Sequence, residues 1–255
     1  MKTMIGTLAY HREIVPGIFD MGIQCAEAAK AAKAGQFVNI LCEGGDALLR
    51  RPISVCDAQG NLLRIVYEVK GKGTALLSRY QVGQNIDFLG PLGHGFDLET
   101  AGEKPLVIGG GIGTYPLLML TKQLGNASVF LGFRDKNRLT LLDEFERVAK
   151  TQAATDDGSF GHHGLVTDLV KTHLETVGGT MIYACGPKPM LKAVQALAQR
   201  FGVPSQLSME ERMGCGIGAC LVCACKTKTE NGEVHQSHVC CDGPVFDGNR
   251  IVFDA

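Results

Sequence analysis

Six of the ten cysteines in this chain of 255 residues lie between Cys215 and Cys241. Four of them, Cys215, Cys220, Cys223 and Cys240, follow the spacing Cys-x4-Cys-x2-Cys-x16-Cys. This is the plant-type [2Fe-2S] arrangement, in which three thiolates on one tight loop and a fourth from a distant segment surround the cluster. The spacing therefore predicts a [2Fe-2S] cluster held by these four sulfur atoms.

Gly214, Gly216 and Gly218 alternate with the first residues of this motif. They allow the backbone to curl around a cluster and to point N–H groups at its sulfides, which tunes the reduction potential. A zinc ribbon is the alternative, because zinc also binds four cysteines. Zinc knuckles usually carry two Cys-x2-Cys pairs and do not require a glycine-filled first gap, so the pattern favours the cluster.

Two cysteines of this region remain, Cys225 and Cys241, and we interpret both as small buried or surface thiols. Cys241 could compete with the adjacent Cys240 for the fourth ligand position. Neighbouring side chains point in opposite directions on an extended segment. We therefore expect only one of these two thiols to face the cluster.

A glycine-rich turn at residues 109–116 follows the apolar run PLVI and precedes a helix-like segment. Gly111 and Gly113 would allow a tight turn and a close approach by a dinucleotide, whose pyrophosphate binds unpaired N–H groups at a helix N-terminus. Cys185 and Gly186 end another strand-like run, and ligands of parallel sheets lie beyond the carboxyl ends of strands. Each turn could also be purely structural, with a buried cysteine that contacts no ligand.

Closer to the amino terminus, Arg51 lies beside a strand-like run, and Gly73 and Thr74 begin a helix-like segment. An arginine can pair with a pyrophosphate, and a Gly-Thr helix start can bind its other face. Taken alone, a surface ion pair and an ordinary turn explain these residues better. These residues indicate a binding site only through their order along the chain relative to the other motifs.

Three stretches of different character must position these motifs. Short strands bounded by glycines predict a small antiparallel β-barrel or sandwich over residues 1–100. Alternating strand-like and helix-like runs predict a doubly wound α/β domain over residues 101–206. The cysteines and two short strand-like runs form a small C-terminal domain at residues 207–255. The expected fold is therefore multidomain.

The composition excludes some classes of partner. Charged residues make up 20% of the chain and the net charge is -1, so no basic excess points to nucleic acid or anionic lipid. No run of about 18 apolar residues predicts a membrane span. The first residues lack the apolar core of a signal peptide, and we expect a cytoplasmic protein whose thiols stay reduced.

The order of the motifs RPIS, GKGT, GPLGHGF, GGGIGTYP and CGP resembles the ferredoxin-reductase superfamily. The segment EERMGCGIGACLVCACKT and the later VCCDGPVF narrow the resemblance to the electron-transfer subunits of NAD-dependent (class 1B) dihydroorotate dehydrogenases. The resemblance covers the whole chain. It implies a flavin-binding barrel, then a nicotinamide-nucleotide domain, then a [2Fe-2S] domain.

This resemblance implies FAD and a [2Fe-2S] cluster as cofactors and NAD as an exchanging substrate. Electrons are expected to pass from the FMN of a catalytic partner subunit, through the cluster and FAD, to NAD+ in pyrimidine (UMP) biosynthesis. The expected assembly is a heterotetramer of two copies of each subunit, and no residue of this chain is expected to act on substrate carbon. The implied cofactor-binding residues are Arg51, Pro52, Ile53, Ser54, Val66, Tyr67, Glu68, Gly73, Thr74, Gly111, Gly113, Cys185 and Gly186.

Other functions would use the same parts. One is the small FAD/[2Fe-2S] subunit of an NADH-dependent ferredoxin:NADP oxidoreductase or of a hydrogenase-type complex, and another is a stand-alone redox carrier or sensor. The residues themselves leave NAD and NADP open. Asp135 could bind a ribose hydroxyl, whereas Arg134 and Lys136 could bind a 2′-phosphate.

Overall fold

The computed structural model describes residues 3–44 and 48–253 of the chain. It confirms the predicted multidomain architecture, because a closed antiparallel barrel precedes a largely parallel α/β sheet and a cysteine-rich segment. Among the described helices, none is long and apolar enough to cross a membrane.

The barrel has six strands in the order β1-β2-β5-β4-β3-β6. Buried and partly exposed residues alternate along β6, as expected for a strand with one face on a core. Side chains such as Leu8, Ile65 and Phe88 form that core. The elements are β1 (Thr3–Val15), β2 (Ile18–Gln24), α1 (Ala26–Ala31), β3 (Phe37–Ile40), β4 (Arg51–Gln59), β5 (Leu62–Glu68), α2 (Lys72–Leu77) and β6 (Asn85–Leu92).

The second part is a seven-stranded sheet in the order β10-β9-β8-β7-β11-β12-β15. Its central strand β7 is buried at every residue, which explains the continuous apolar run. Val107 packs in one core with Leu117 of α3, whereas Leu106 and Ile108 pack in another with Val170 of α5. Helices therefore cover both faces of the sheet. The elements are β7 (Pro105–Gly110), α3 (Leu117–Leu124), β8 (Ser128–Phe133), α4 (Leu142–Glu146), β9 (Lys150–Thr155), β10 (His162–His163), α5 (Val166–Thr176), β11 (Met181–Cys185), α6 (Lys188–Phe201) and β12 (Ser205–Ser208).

The cysteine-rich segment leaves the sheet and returns to it. It contains a hairpin, β13 (Ala224–Lys228) and β14 (Val234–His238), and ends with β15 (Val245–Asp247). Strand β15 pairs antiparallel with β12 at the sheet edge. Because β12 crosses the predicted boundary at residue 206, both ends of the cysteine-rich segment are tied to the nucleotide sheet.

Buried ion pairs join the barrel to the α/β part. Arg64 on β5 donates to both carboxylate oxygens of Glu144 on α4, at 2.6 and 2.8 Å, and also pairs with Asp20 at 2.9 Å. The side chain of Asp20 is fully buried. Lys122 on α3 donates to Asp57 on β4 at 2.6 Å. Removing one partner of such a pair leaves an uncompensated buried charge, so these contacts fix the orientation of the two parts.

Two segments differ from what their local sequence suggests. The run LLDEFERVAK has a helical pattern, but α4 ends at Glu146 and Lys150 already begins β9. Parallel pairing with β8 overrides the helical pattern there. His162 and His163 stand between two glycines, as in a loop, but they form the exposed edge strand β10.

Candidate functional site

A cleft of about 1030 Å³ lies between the barrel and the sheet. Its volume matches the largest small-molecule pockets, at about 1,000 Å³. Every predicted cofactor-binding residue except Gly73 lines it. The structure thus brings together motifs that are distant in sequence. The barrel contributes Arg51–Ser54, Val66–Glu68 and Thr74, and the sheet contributes Gly111, Gly113, Cys185 and Gly186.

Gly73 lies behind the cleft and supports Arg51. A Cβ atom at position 73 would lie 2.1 Å from Nε of Arg51, so only glycine lets the guanidinium rest against the start of α2. The hydroxyl of Thr74 accepts hydrogen bonds from the N–H groups of Lys70 at 2.9 Å and Gly71 at 3.2 Å. These contacts hold the turn beside Arg51 in a single conformation.

The sheet contributes two glycine turns that touch each other. A Cβ atom on Gly113 would lie 2.6 Å from the carbonyl of Cys185 and from Cα of Gly186, so the turns can meet only with glycine there. Gly111 has a φ of 53° and space where a side chain would be, which leaves its backbone open. A 3₁₀ turn, Gly111–Thr114, follows β7, and α3 begins at Leu117, directly after Pro116, so a helix follows the glycine-rich turn as predicted.

Two titratable side chains beside the two turns are uncharged at neutral pH. Burial raises the pKa of the Cys185 thiol to about 12, so it stays protonated at neutral pH. Burial likewise raises the pKa of Tyr115 to about 12. At the opposite side, Glu68 of the barrel accepts a hydrogen bond from Arg138 of the sheet at 3.1 Å. The lining therefore suits binding and orientation of a ligand more than proton transfer.

The residues proposed to bind the ribose hydroxyl or the 2′-phosphate of the nucleotide have different environments in the structure. Arg134 lines the cleft, as does Arg138, which the sequence reasoning missed. The carboxylate of Asp135 accepts a hydrogen bond from the N–H of Asn137 at 2.8 Å and thereby caps a short 3₁₀ turn. The choice between NAD and NADP stays a prediction.

The four predicted cluster ligands converge as two pairs. The N–H of Cys215 donates to Sγ of Cys220 and the N–H of Cys220 donates to Sγ of Cys215, both at 3.3 Å. The N–H of Cys240 donates to Sγ of Cys223 at 3.5 Å. Two sulfur pairs fit a cluster with two irons and two thiolates on each, whereas a single zinc ion needs one tetrahedral group.

Backbone N–H groups point at the ligand sulfurs, as the glycine pattern predicted. Gly218 donates to Sγ of Cys240 at 3.1 Å, and Ile217 donates to Sγ of Cys215 at 3.4 Å. Gly216 and Gly218 have φ values of 74° and 83°, which direct these groups inward. Burial raises the pKa of Cys215, but the N–H groups of Ile217 and Cys220 outweigh it and bring that pKa to about 7. These donors favour the thiolate form of Cys215, whereas burial raises the pKa of Cys240 to about 12.

The extended backbone assumed for Cys240 and Cys241 is not present. The two residues lie in a turn, where the N–H of Cys241 donates to the carbonyl of His238 at 3.1 Å. A Cβ atom on Gly218 would lie 3.1 Å from Sγ of Cys241, so this thiol lies beside the cysteine loop. The alternation of an extended segment does not apply in a turn, and which of the two thiols binds the cluster stays a prediction. Cys225 is a buried thiol on β13, as interpreted, and burial raises its pKa to about 11.

Family models match two parts of the chain. Residues 210–252 match the "Iron-sulfur cluster binding domain of dihydroorotate dehydrogenase B". Residues 107–196 match the "Oxidoreductase NAD-binding domain". The two matches cover the cysteine loop and both glycine turns of the sheet.

The relatives that match nearly the whole chain share one name. The chain is 44% identical over 257 residues to the dihydroorotate dehydrogenase B (NAD(+)) electron transfer subunit of Geobacillus thermodenitrificans, covering 96% of this chain and 97% of the relative. This chain belongs to that family of electron transfer subunits. The subunit of the same name from Enterococcus faecalis is 38% identical over 266 residues, covering 98% of both chains. The predicted family is confirmed.

Solved structures agree with the fold of these electron transfer subunits. A structure described as an NADH-dependent reduced ferredoxin-NADP oxidoreductase aligns with a TM-score of 0.85 and 31% identity, covering 98% of this chain and 91% of that one. A ferredoxin NADP+ reductase from Neisseria gonorrhoeae, with bound FAD and NADP, aligns with a TM-score of 0.66 and 18% identity over 79% of this chain and 92% of that one. The second likeness shows the fold alone.

Sequence reasoning missed several cleft residues of this family member. Phe37 lines the cleft although it belongs to no recognised motif, and Met213 and Pro244 line it although their segments were quoted only for the cluster. Phe37 also packs in one core with Cys223 and Cys240. Their positions depend on the packing of β3 against the cysteine-rich segment, for which no local pattern exists.

Proposed function

We propose that this chain takes electrons from an FMN-containing dihydroorotate dehydrogenase catalytic subunit and passes them, through a [2Fe-2S] cluster and FAD, to NAD+ in pyrimidine (UMP) biosynthesis. One observation carries the proposal. A single cleft unites the flavin and nucleotide motifs, and the strand β3 at its wall shares a core with Cys223 and Cys240 and donates a hydrogen bond from Asn39 to the carbonyl of Cys215. An electron conduit requires this adjacency.

Each wall of the cleft has a task in this proposal. Arg51, held by Gly73, would pair with the pyrophosphate of FAD, and the strands at Arg51–Ser54 and Val66–Glu68 would hold the rest of the flavin. The open backbone at Gly111 and the Cys185 turn would bind the nicotinamide nucleotide. Cys215, Cys220, Cys223 and Cys240 would hold the cluster.

When bound, FAD would exchange an electron pair with the nicotinamide as hydride, whereas the cluster would carry single electrons. The residues of this chain only bind, orient and exclude water. The protonated thiol of Cys185 adds no competing charge beside the hydride path. No residue of this chain is proposed to take a proton from dihydroorotate.

The cysteine loop offers a surface to the proposed partner. Ile217, Leu221 and Val222 are large apolar side chains with exposed fractions of 40, 60 and 57%, and they lie within three residues of the exposed Cys220 in sequence. A rim of apolar side chains around a redox centre suits a protein contact. We propose a cytoplasmic heterotetramer of two copies of each subunit, with working units at residues 1–100, 101–206 and 207–255.

Co-purification from the native host, with optical spectra and an assay of dihydroorotate-dependent NAD+ reduction, tests this function. The proposal requires an FMN-containing partner and NADH formation from dihydroorotate. The same assay with ferredoxin as electron donor serves as the control.

The likeness to the ferredoxin-NADP oxidoreductase structure makes that activity the second candidate. A partner with additional iron–sulfur clusters, ferredoxin-dependent activity and silence with dihydroorotate would overturn the first assignment and support the second. A monomer that turns over NADH with its cofactors retained and without any partner would overturn both.

A further inference from the structure

One buried side chain links the flavin barrel directly to the cysteine loop. Asn39 lies on β3, and its Nδ2 donates a hydrogen bond to the carbonyl oxygen of Cys215 at 3.1 Å, across 176 residues of sequence. Its exposed fraction is 1%. Cys215 is the first of the four proposed cluster ligands, so this bond anchors the loop at its beginning.

The loop is shaped to receive this amide. A Cβ atom on Gly216 would lie 2.5 Å from Nδ2 of Asn39 and 3.2 Å from its Cγ. Gly216 also has a φ of 74°, a conformation that other residues rarely adopt. Asn39 and Gly216 therefore fit together, and a side chain at position 216 would push the loop away from the barrel.

The other end of Asn39 belongs to the flavin side. In the register of β3 and β4, Asn39 pairs with Pro52, which lies between Arg51 and Ile53 at the cleft wall. Phe37, two residues earlier on the same strand face, lines the cleft and packs with Cys223 and Cys240. A hydrogen-bonded route between the two proposed cofactor sites therefore runs through β3 and Asn39.

Stability alone does not account for asparagine at this position. Its Oδ1 atom is buried and has no hydrogen-bond partner within the described residues. A buried acceptor without a partner costs about 1–3 kcal/mol, which offsets the gain of about 1 kcal/mol from the bond to Cys215. An apolar residue of similar size would pack here without that penalty. What asparagine contributes at this position is therefore the hydrogen bond that its amide donates to the Cys215 carbonyl.

We propose that Asn39 is a positioning residue that fixes the cysteine loop against the flavin-binding strands and thereby sets the rate of single-electron exchange between cluster and FAD. This inference rests on the proposed function. The amide holds the Cys215 carbonyl, Gly216 admits the amide, and the β3–β4 pairing carries the constraint to the flavin site.

Asn39→Leu and Asn39→Asp, tested in the holo complex, both remove the donor from Nδ2. Asn126→Leu is the matched control, because Nδ2 of Asn126 donates to the carbonyl of Glu103 at 3.1 Å on the exposed surface. NADH is mixed anaerobically with each protein, and reduction of the flavin and of the cluster is followed separately by stopped-flow absorbance. The EPR line shape and reduction potential of the cluster are recorded in parallel.

We expect flavin reduction by NADH to stay at the wild-type rate in both Asn39 variants. Cluster reduction should slow measurably, by a few-fold, because the rate of single-electron transfer falls steeply as the distance between the two centres grows. The EPR line shape should change, and Asn126→Leu should match the wild type. Loss of the cluster in both Asn39 variants, with FAD and flavin reduction intact, would show the anchoring role in its strongest form.

A variant that keeps its cluster, its EPR line shape and the wild-type rate of cluster reduction would overturn the inference. If NADH reduces the flavin but never the cluster in the wild-type complex, the proposed function fails instead. The two failures are therefore distinguishable in one experiment.

Discussion

The cleft and the cysteine loop achieve binding in different ways. The cleft is assembled from separate strands and turns of the barrel and the sheet, and buried ion pairs such as Arg64–Glu144 hold its two walls together. The cysteine loop places three of its four sulfurs within nine residues and shapes them with its own N–H groups. A local site depends on the conformation of its own loop, whereas a distributed site depends on the orientation of two larger bodies.

The largest expected effect comes from removing one proposed cluster ligand from the cysteine-rich segment while the cleft stays intact. Cys240→Ala should abolish the [2Fe-2S] EPR signal and lower the iron content, because the fourth thiolate is lost. Reduction of an artificial dye by NADH through the flavin should persist, since the cleft is intact. Cys241→Ala is the matched control one residue away and should keep its cluster. A cluster that survives in Cys240→Ala but not in Cys241→Ala would reassign the fourth ligand.

The second largest effect should be a loss of stability when an ion pair between the two walls of the cleft is removed. Arg64→Met leaves Asp20 buried with less compensation, which should lower the free energy of unfolding by about 3 kcal/mol. Hydride transfer from NADH to FAD should slow while the EPR line shape of the cluster stays unchanged. Arg12→Met removes another partner of Asp20, but Arg12 has a side chain exposed at 64%, so this control should cost less than about 1 kcal/mol. Equal destabilisation in thermal unfolding would contradict the clamp.

A smaller effect should follow from moving one side chain of the cleft. Gly73→Ala displaces the guanidinium of Arg51, and we expect FAD affinity to fall about tenfold, which corresponds to about 1.4 kcal/mol. Gly71→Ala is the control, because Gly71 has extended backbone and no heavy atom near its Cβ position. Titration of the apoprotein with FAD measures both. Equal affinities in the two variants would remove Arg51 from the flavin site.

The smallest effect concerns acid stability. The hydrogen bonds from Arg64 hold the pKa of Glu144 below its ordinary value of 4.5. A lowered folded-state pKa contributes stability above the ordinary value and loses it as pH falls through the folded one. The melting temperature should therefore fall less steeply below about pH 5 in Glu144→Gln than in wild type. Glu146→Gln, an exposed change on the same helix, should keep the wild-type slope, and identical slopes in all three proteins would exclude this linkage.

The same contrast explains what the sequence could predict. The four ligands, RPIS and the glycine turns are local patterns, so their identities and approximate positions follow from spacing. Phe37, Arg138 and Asn39 join their sites only through packing between distant segments, which no local pattern encodes. The alternation of side chains assumed for Cys240 and Cys241 fails because the two residues lie in a turn. Helix α4 ends earlier than the helical pattern of LLDEFERVAK suggests because pairing of β9 with β8 competes with helical propensity.

Anaerobic EPR of the purified complex tests the conduit most directly, with dihydroorotate added first and excess NAD+ added afterwards. We expect a reduced [2Fe-2S] signal to appear with dihydroorotate and to disappear with NAD+ as NADH forms. NADH formation with a cluster signal that neither addition changes would place the cluster off the electron route and contradict the proposed conduit.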